Sequence, residues 1–359
     1  MQIQILKNRA RPQGSLSKSA TNATRTESRG TSTKPHKAGS KSRSTTAISS
    51  TANRLEKIAL AAVAILTVIF VTLTVAGCKF GLEEAFYRSN GVNERSAQLE
   101  SESLPAAVTT AISNQGNKYN FLILTDIHYG ANYDVPERKI LSWLERFDSA
   151  PTPAEQQKKP LFCVVLGDVV ESGAREDYAH FETFQETLEK QHGLPVYCIV
   201  GNHDLLNSGW DYWKTSCNPG NSFYRFQTGA LSFYFTDTGS GTMGSKQLEA
   251  LESAFENDNN RKLVFSHYPL YGGDAGIPLF SVGNAKERAR IIDLYAENKV
   301  KYVFEGHCHW GGNHDFGSFK ELVGKSLKSG KMYLVSVDET TTGDTNPVTK
   351  VTEIDLNSF

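Results

Sequence analysis

Cysteine is scarce in this chain, and its N-terminal segment has no aromatic residues. Five cysteines among 359 residues exclude a small domain held together by disulfide bonds. Residues 1–57 contain 18 Ser/Thr but no Phe, Tyr or Trp, which leaves too little apolar surface to offset the entropy of ordering a core. We therefore predict that residues 1–57 form a disordered tail.

Charge is distributed unevenly, although the net charge of the whole chain is only -1. Residues 1–57 carry 12 Lys/Arg and two acids, Glu27 and Glu56, which gives the tail a charge of +10. The other 26 basic and 37 acidic residues give the rest of the chain a charge of -11. This division excludes a single near-neutral globule. Because the basic part has no core, we predict no nucleic-acid binding.

An uncharged run of 21 residues, 58–78, follows the tail. As a helix it would be roughly 31 Å long, close to the apolar thickness of a bilayer, so we predict a membrane segment. Arg54 and Lys57 precede the run, and positively charged flanks stay in the cytoplasm. The C-terminal part should then lie outside the cytoplasm, in the periplasm or at the cell surface.

The end of this run resembles a bacterial lipoprotein signal. Its last residues are Val75, Ala76, Gly77 and Cys78, and the resemblance implies cleavage before a lipid-modified Cys78. The basic region before the run is longer than such signals have, and the next Met is Met243. A cleaved lipoprotein signal and an uncleaved transmembrane anchor both stay open. Either one tethers the rest of the chain to the membrane.

The remainder of the chain divides into a predicted stalk and one predicted domain. Residues 79–117 are polar and show no strong strand pattern, so we predict a stalk. The globular domain is expected at residues 118–359. A chain of this size suits one α/β domain that buries roughly 70–75% of its unfolded surface.

Five short apolar runs in this domain indicate buried strands. They are Phe121–Leu124, Phe162–Leu166, Val196–Val200, Leu263–Phe265 and Tyr302–Phe304. Runs of this length without alternation are typical of strands that are buried on both faces. Amphipathic patterns between them predict helices at Pro136–Phe147, Arg175–Gln191, Ser245–Glu256 and Ala285–Lys299. Strands that alternate with helices predict a largely parallel sheet.

Polar residues of metal-binding types follow each run. They are Asp126, His128, Asp168, Asn202, His203, Asp204, His267, His307 and His309. Because ligands of open α/β sheets bind beyond the carboxyl ends of strands, we expect these residues to converge on one site. Asp126 and His128 are two residues apart, as are His307 and His309, and residues so spaced in an extended chain point the same way.

Glycine also recurs beside these residues, at Gly167, Gly201 and Gly306. Each stands where a strand must turn. Since glycine has no side chain, we predict that backbone at these positions approaches an ion closely.

Together the motifs Asp-x-His, Gly-Asp, Gly-Asn-His-Asp, His and Gly-His-x-His, in this order, resemble the signature of the calcineurin-like metallophosphoesterase superfamily. The resemblance covers about residues 118–357. It implies a four-layer α/β sandwich, in which two mixed sheets face each other and helices lie outside.

The resemblance also implies two metal ions and their ligands. One metal would be held by Asp126, His128, Asp168 and His309, and the other by Asp168, Asn202, His267 and His307. His203 would be a catalytic residue that binds no metal, and Asp204 would be its orienting partner. Imidazole, carboxylate and amide ligands without thiolate suit Mn, Fe or Zn.

The function that the resemblance implies is hydrolysis of phosphate mono- or diesters by a metal-bridged hydroxide. Purple acid phosphatases, a related branch, have a Tyr three residues after the bridging Asp, where this chain has Glu171. The surrounding residues look more like small bacterial cyclic-nucleotide and general phosphodiesterases. The alternative is a non-catalytic metal-binding lipoprotein or receptor that keeps the fold for ligand recognition, and the intact His203–Asp204 pair argues against it.

Three aromatic residues, Trp210, Tyr212 and Trp213, follow the Gly-Asn-His-Asp motif in a predicted loop. They could stack on a nucleobase or form an outer packing cluster, and we favour the packing cluster.

Overall fold

The computed structural model describes residues 91–271 and 280–359. The predicted tail, the membrane segment at 58–78 and the first part of the predicted stalk lie outside the described residues. Within the described ranges, no helix combines the length and the apolar character that crossing a bilayer requires.

Two mixed β-sheets form the centre of the fold. The strands are β1 (Glu100–Ser101), β2 (Lys118–Leu124), β3 (Pro160–Val165), β4 (Val196–Cys198), β5 (Tyr224–Gln227), β6 (Leu231–Phe235), β7 (Arg261–Phe265), β8 (Val300–Glu305), β9 (Trp310–Asp315), β10 (Lys320–Lys325), β11 (Lys331–Asp338) and β12 (Val348–Asp355). One sheet has the order β1-β5-β6-β7-β8-β10-β9, and the other has the order β12-β11-β2-β3-β4.

The five predicted apolar runs all fall on strands that have parallel neighbours. Strands β2, β3 and β4 are parallel in one sheet, and β6, β7, β8 and β10 are parallel in the other. Antiparallel strands complete both sheets, at β5, β9, β11 and β12. The prediction of a largely parallel sheet therefore holds for the strands that lead to the polar motifs. The two mixed sheets that the resemblance implies are confirmed.

Helices flank the sheets, and four of them lie where the sequence pattern predicts them. They are α1 (Val92–Arg95), α2 (Ala106–Asn114), α3 (Glu137–Asp148), α4 (Pro153–Gln156), α5 (Arg175–His192), α6 (Gly209–Ser216), α7 (Ser245–Glu256) and α8 (Ala285–Glu297). The four predicted helices correspond to α3, α5, α7 and α8, with ends that agree to within two residues. α5 ends at His192, and the Gly193 that follows has a φ of 62°, which allows the left-handed turn that terminates a helix.

Three hydrophobic clusters fill the spaces between the layers. A cluster rich in phenylalanine joins the two sheets, and in it the Phe121 ring stacks on Phe162 at 5.1 Å and meets Phe233 edge-on at 6.1 Å. A second cluster contains side chains of the β2–β4 sheet and of helices α3, α5 and α6. A third contains side chains of the larger sheet and of α7 and α8. The layers therefore run helix, sheet, sheet, helix.

The described part of the predicted stalk packs on the domain. Strand β1 pairs in parallel with β5, and Leu104, Val108 and Ile112 are buried in the cluster between the sheets. The prediction of a separate stalk at 79–117 is therefore wrong for residues 92–114. In α2 the two buried side chains are four residues apart and polar or small residues lie between them, so the segment looks hydrophilic in sequence.

Arg95 joins this N-terminal segment to the domain through a buried ion pair. Its Nε lies 2.9 Å from Asp237 Oδ2, and the side chains are 1% and 0% exposed. Its Nη2 donates to Asp237 Oδ1 at 3.0 Å and to Ser240 Oγ at 3.0 Å. Removing one partner of a buried ion pair leaves an uncompensated charge, which is costly.

We expect Arg95→Ala to lower the free energy of unfolding by about 3 kcal/mol or more, because it leaves Asp237 buried and unpaired. Urea unfolding of the full-length variant measures this loss. The matched control is Lys118→Ala, which removes a pair with Asp338 in which the lysine is 61% exposed. This control should cost less than about 1 kcal/mol. Equal, small losses would contradict the assigned role of Arg95.

Candidate metal centre

The predicted site residues lie at the carboxyl ends of five strands, which belong to both sheets. Asp126 follows β2, Asp168 follows β3, Asn202 follows β4, His267 follows β7 and His307 follows β8. Strand ends are where an α/β sheet brings distant residues together. The structure thus places these residues at neighbouring strand ends.

Four of these residues adopt left-handed backbone conformations. The φ angles are 51° at Asp126, 55° at His128, 50° at Asp168 and 64° at His307. A non-glycine residue with positive φ costs of order 1–3 kcal/mol, and such residues cluster at functional sites. The expectation that Asp126 and His128 converge because the chain is extended is therefore wrong. Tight turns after the strands aim these side chains.

The three glycines beside the site allow its loops to touch. An added Cβ at Gly167 would lie 2.6 Å from His267 Nδ1, and one at Gly201 would overlap the side chain of Asp168. An added Cβ at Gly306 would overlap Thr125. The close approach of backbone to an ion at these positions stays a prediction. The structure shows that neighbouring loops of the site approach one another closely there.

A first group of potential ligands contains Asp126, His128, Asp168 and His309. Each offers one atom, and these atoms all lie within 4.8 Å of one another. His128 Nε2 and His309 Nε2 are 3.1 Å apart, and His309 Nε2 is 3.5 Å from Asp126 Oδ1. These are the four residues that the resemblance assigns to one metal.

A second group contains Asp168, His267 and His307, and Asn202 lies among them. His267 Nε2 is 3.3 Å from Asp168 Oδ2 and 3.0 Å from Asn202 Oδ1. His307 Nδ1 is 2.9 Å from the same Asn202 oxygen. Asp168 belongs to both groups, as the resemblance implies for a bridging carboxylate. That these residues bind metal stays a prediction.

The buried carboxylate of Asp168 sets the electrostatics of both groups. Burial favours its neutral form, but the neighbouring imidazoles, His267 foremost, hold the pKa of Asp168 well below its usual range. Burial likewise opposes protonation of His267, yet Asp168 raises the pKa of His267 to about 10. Asp168 therefore favours a proton on the neighbouring imidazole. A metal ion bound to the same nitrogen could supply the positive charge in place of that proton.

The side chains fit a metal ion in three further respects. His267 Nδ1 is 2.7 Å from the carbonyl oxygen of Leu166, so on a neutral ring Nδ1 carries the proton and Nε2 keeps its lone pair. His128 and His309 direct nitrogens at each other. The donors are imidazole, carboxylate and amide, and the thiol of Cys308 instead faces the carbonyl oxygen of Phe280 at 3.4 Å. Such donors suit Mn, Fe or Zn.

His203 lies beside the first group and opens a 3₁₀-helix, His203–Leu205. Its backbone N–H donates to Asp168 Oδ1 at 2.8 Å, and its ring is 4.7 Å from that of His128. Its Nδ1 is 2.6 Å from the carbonyl oxygen of Glu171. Because a carbonyl oxygen only accepts, Nδ1 carries a proton, and Nε2 is the nitrogen available for chemistry.

Asp204 does not orient His203 as we expected. Its buried carboxylate accepts hydrogen bonds from the N–H groups of Gly201 at 2.8 Å, Val169 at 2.9 Å and Val170 at 3.2 Å. Burial, followed by the charge of Asp168, raises the pKa of Asp204 to about 7. Asp204 therefore ties the loop after β3 to the loop after β4, and the carbonyl group of Glu171 contacts the ring of His203.

Three polar residues that sequence reasoning missed support the site. Thr125 Oγ1 donates to Asp126 Oδ2 at 2.6 Å, and Glu171 Oε2 is 2.8 Å from His128 Nδ1. Thr238 Oγ1 accepts from the N–H of His267 at 3.0 Å. Thr125 and Glu171 stand within three residues of a motif, which is a weak signal. Thr238 follows β6, which carries no predicted ligand, so the sequence offered no signal there.

Trp210 and Trp213 lie on helix α6, where we expected a loop. They are 7% and 0% exposed, and their rings stack on each other at 5.4 Å. The packing alternative is therefore confirmed, and burial excludes these two rings from stacking on a base.

Comparisons with known proteins find a family and several relatives that resemble this chain. The family model described as "Calcineurin-like phosphoesterase" matches residues 119–311. A Fibrobacter succinogenes protein named "Probable cyclic nucleotide phosphodiesterase" is 27% identical over 195 residues, which is 52% of this chain and 71% of that protein. The human "Serine/threonine-protein phosphatase CPPED1" is 23% identical over 189 residues, 47% of this chain and 60% of that protein. The solved structure of a dimetal phosphatase from Danio rerio matches with a TM-score of 0.46 and 14% identity, over 66% of this chain and 99% of that one.

Two ligand groups that share one carboxylate are the pattern of a dinuclear metal centre. The family match spans more than half of the sequence, and the chain belongs to the calcineurin-like phosphoesterase family. It is a phosphoric ester hydrolase, of a family that uses two metal ions.

We expect Gly201→Ala to displace Asp168, because the added methyl group overlaps its side chain. The free energy of unfolding should fall by about 1–3 kcal/mol, the usual cost of overpacking. The metal content after incubation with Mn²⁺ should fall as well. Urea unfolding and elemental mass spectrometry measure the two effects. Gly229→Ala is the control, because its added Cβ meets nothing closer than Glu339 Oε2 at 3.6 Å. Similar behaviour of the two variants would show that the Gly201 contact is unimportant.

Proposed function

We propose that this protein is a dinuclear metal-dependent phosphoesterase that hydrolyses phosphate mono- or diesters outside the cytoplasm while tethered to the membrane. The observation that carries the catalytic part is the sharing of Asp168 by two groups of potential ligands. The metals are Mn, Fe or Zn, in keeping with the oxygen and imidazole donors. Cyclic nucleotides are the first substrates to try, since the Fibrobacter relative is named for them.

Two bound metals would neutralise the charge of the phosphate ester and lower the pKa of a water molecule. The residues of the chain hold this centre and move a proton. Asp168 Oδ2 lies 3.8 Å from His128 Nε2 of the first group and 3.3 Å from His267 Nε2 of the second group. Asn202 Oδ1 lies 2.9–3.0 Å from two imidazoles of the second group. The turns that hold these residues are fixed by the sheets, so the ligands need little rearrangement to bind.

His203 is placed to act on the leaving oxygen. Its Nδ1 proton is held by the carbonyl group of Glu171, so its Nε2, when protonated, can donate to an alkoxide that leaves the phosphate. General acid catalysis of this kind contributes roughly 10²–10⁴-fold to the rate. A site that held metal only for stability would need no positioned proton donor. The placement of His203 therefore counts against the alternative of a non-catalytic receptor.

The tether is inferred from the sequence alone. The uncharged run at 58–78 is long enough to span a bilayer, and basic residues precede it. Lys79 follows the run, and helix α1 begins at Val92. The domain would thus be held close to the membrane surface, with a cleaved lipoprotein signal and an uncleaved anchor as the two forms of attachment.

We expect Asp168→Asn to lose metal at both positions and to lose turnover, because it weakens the shared ligand. His203→Ala should keep its metal and lower kcat by roughly 10²–10⁴-fold. The measurements are elemental mass spectrometry of the purified full-length chain and hydrolysis of bis(p-nitrophenyl) phosphate and p-nitrophenyl phosphate with added Mn²⁺. Loss of metal from the His203 variant would contradict its assignment as a residue that binds none.

The wild-type chain decides between the proposed function and its alternative in the same assay. About two metals per chain with metal-dependent hydrolysis supports the phosphoesterase. Two metals without hydrolysis of these esters or of cyclic nucleotides would favour the receptor. A folded chain that binds none of Mn, Fe or Zn would overturn the assigned centre.

We expect the full-length chain, expressed in a bacterium, to sediment with the membrane fraction and to be released by detergent. Deletion of residues 1–78 should move it to the soluble fraction. Cys78→Ser distinguishes the two attachments, because it blocks the lipoprotein pathway and leaves a transmembrane anchor intact. A full-length chain that stays soluble without detergent would rule out the tether.

A further inference from the structure

An exposed aromatic surface adjoins the candidate metal centre. Trp310 directly follows His309 and is 57% exposed, and among the described residues Trp310 and Phe359 are the exposed large hydrophobic side chains. The ring of Phe280 meets the indole edge-on at 4.8 Å and 77°. The same phenyl ring lies 6.3 Å from the imidazole of His307. We call Trp310 and Phe280 the aromatic ledge.

The backbone fixes the ledge relative to the centre. Trp310 is the first residue of β9, where it pairs with Lys325 of β10. The N–H of Gly311 donates to the carbonyl oxygen of Cys308 at 2.8 Å, which closes a tight turn over His309. Cys308 Sγ faces the carbonyl oxygen of Phe280 at 3.4 Å and so links the two sides of the ledge. The indole is therefore held beside the centre by paired backbone.

A single exposed tryptophan is unremarkable by its exposure alone. The position of Trp310 distinguishes it, since the phenyl ring of Phe280 meets the indole at 4.8 Å and lies 6.3 Å from the imidazole of His307. Three other aromatic side chains near the centre are too buried to bind a ligand. Tyr268 is 1% exposed and stacks on His307 at 3.8 Å, and Trp210 and Trp213 are buried.

We propose that the aromatic ledge binds a planar aromatic group of the substrate, a nucleobase in the natural case, while the phosphate occupies the centre. This inference rests on the proposed function and narrows its substrate class to nucleotides. A flat π-surface beside a phosphate site suits a base, because stacking requires no particular hydrogen-bonding edge. An aliphatic ester has no such face and gains little from the ledge.

The test compares aromatic and aliphatic esters on the full-length enzyme. We expect Trp310→Ala to raise KM for 3′,5′-cyclic AMP by roughly 5- to 100-fold, the range that removal of a stacking ring gives. The increase should be far smaller for glycerophosphocholine, an aliphatic diester. Trp310→Phe should recover most of the loss, because it restores an aromatic face. Phe359→Ala is the matched control, since it removes the other exposed large hydrophobic side chain of the described residues.

Three results would overturn the proposal that the aromatic ledge binds a nucleobase. Equal increases in KM for the aromatic and the aliphatic ester would mean that Trp310 supports the centre in general. Loss of metal from Trp310→Ala would mean that it supports His309. An unchanged KM for cyclic AMP would mean that the indole makes no contact with the base.

A binding measurement separates failure of the ledge from failure of the proposed function. If the wild-type chain hydrolyses no ester, the proposed function fails, and titration calorimetry with adenosine 5′-monophosphate and glycerol 3-phosphate then tests the ledge. The wild type should bind the adenosine ligand more tightly than Trp310→Ala does, by roughly the same 5- to 100-fold. Equal affinity of the two chains for it would overturn the ledge.

Discussion

The buried carboxylate of Asp168 is the constraint on which the rest of the site depends. It is 1% exposed and stays anionic only because positive charge surrounds it. Two strands of one sheet supply His267 and His307, and the other sheet supplies Asp168 itself and His128. An isolated charge at this depth would be too costly to keep. Because the two sheets face each other, their imidazoles surround the Asp168 carboxylate, and this carboxylate needs positive charge around it.

The rigidity of the centre comes from packing below it. Stacked and edge-on phenylalanine rings fill the space between the sheets, so the strand ends cannot move independently. That rigidity holds four residues in left-handed backbone conformations, which cost free energy and would not persist in a looser fold. Asp204 adds a second restraint by binding three backbone N–H groups from two loops. The fold itself therefore holds the candidate ligands in place.

Much of this arrangement is readable in the sequence, because a buried strand that ends in a ligand-type residue is a strong local signal. Helix α7 was predicted at its observed ends, Ser245–Glu256, since its apolar spacing is regular. Strand β1 has two residues and α2 buries two side chains, so neither leaves a readable pattern. The hydrogen bonds that Asp204 accepts and the exposure of Trp310 depend on contacts between loops that are distant in sequence. No local pattern carries that information.

The ion pair of Arg95 and Asp237 bears on how short a working version of this protein can be. Asp237 holds the N-terminal segment, and the next residue, Thr238, accepts the N–H of His267. Asp237, which binds the N-terminal segment, is therefore the direct neighbour in sequence of Thr238, which contacts the candidate ligand His267. A truncated chain that begins at Lys118 would keep every motif and still lose the partner of Asp237. A fragment that keeps this buried pair must include Arg95, which lies 31 residues before Asp126, the first residue of the first motif.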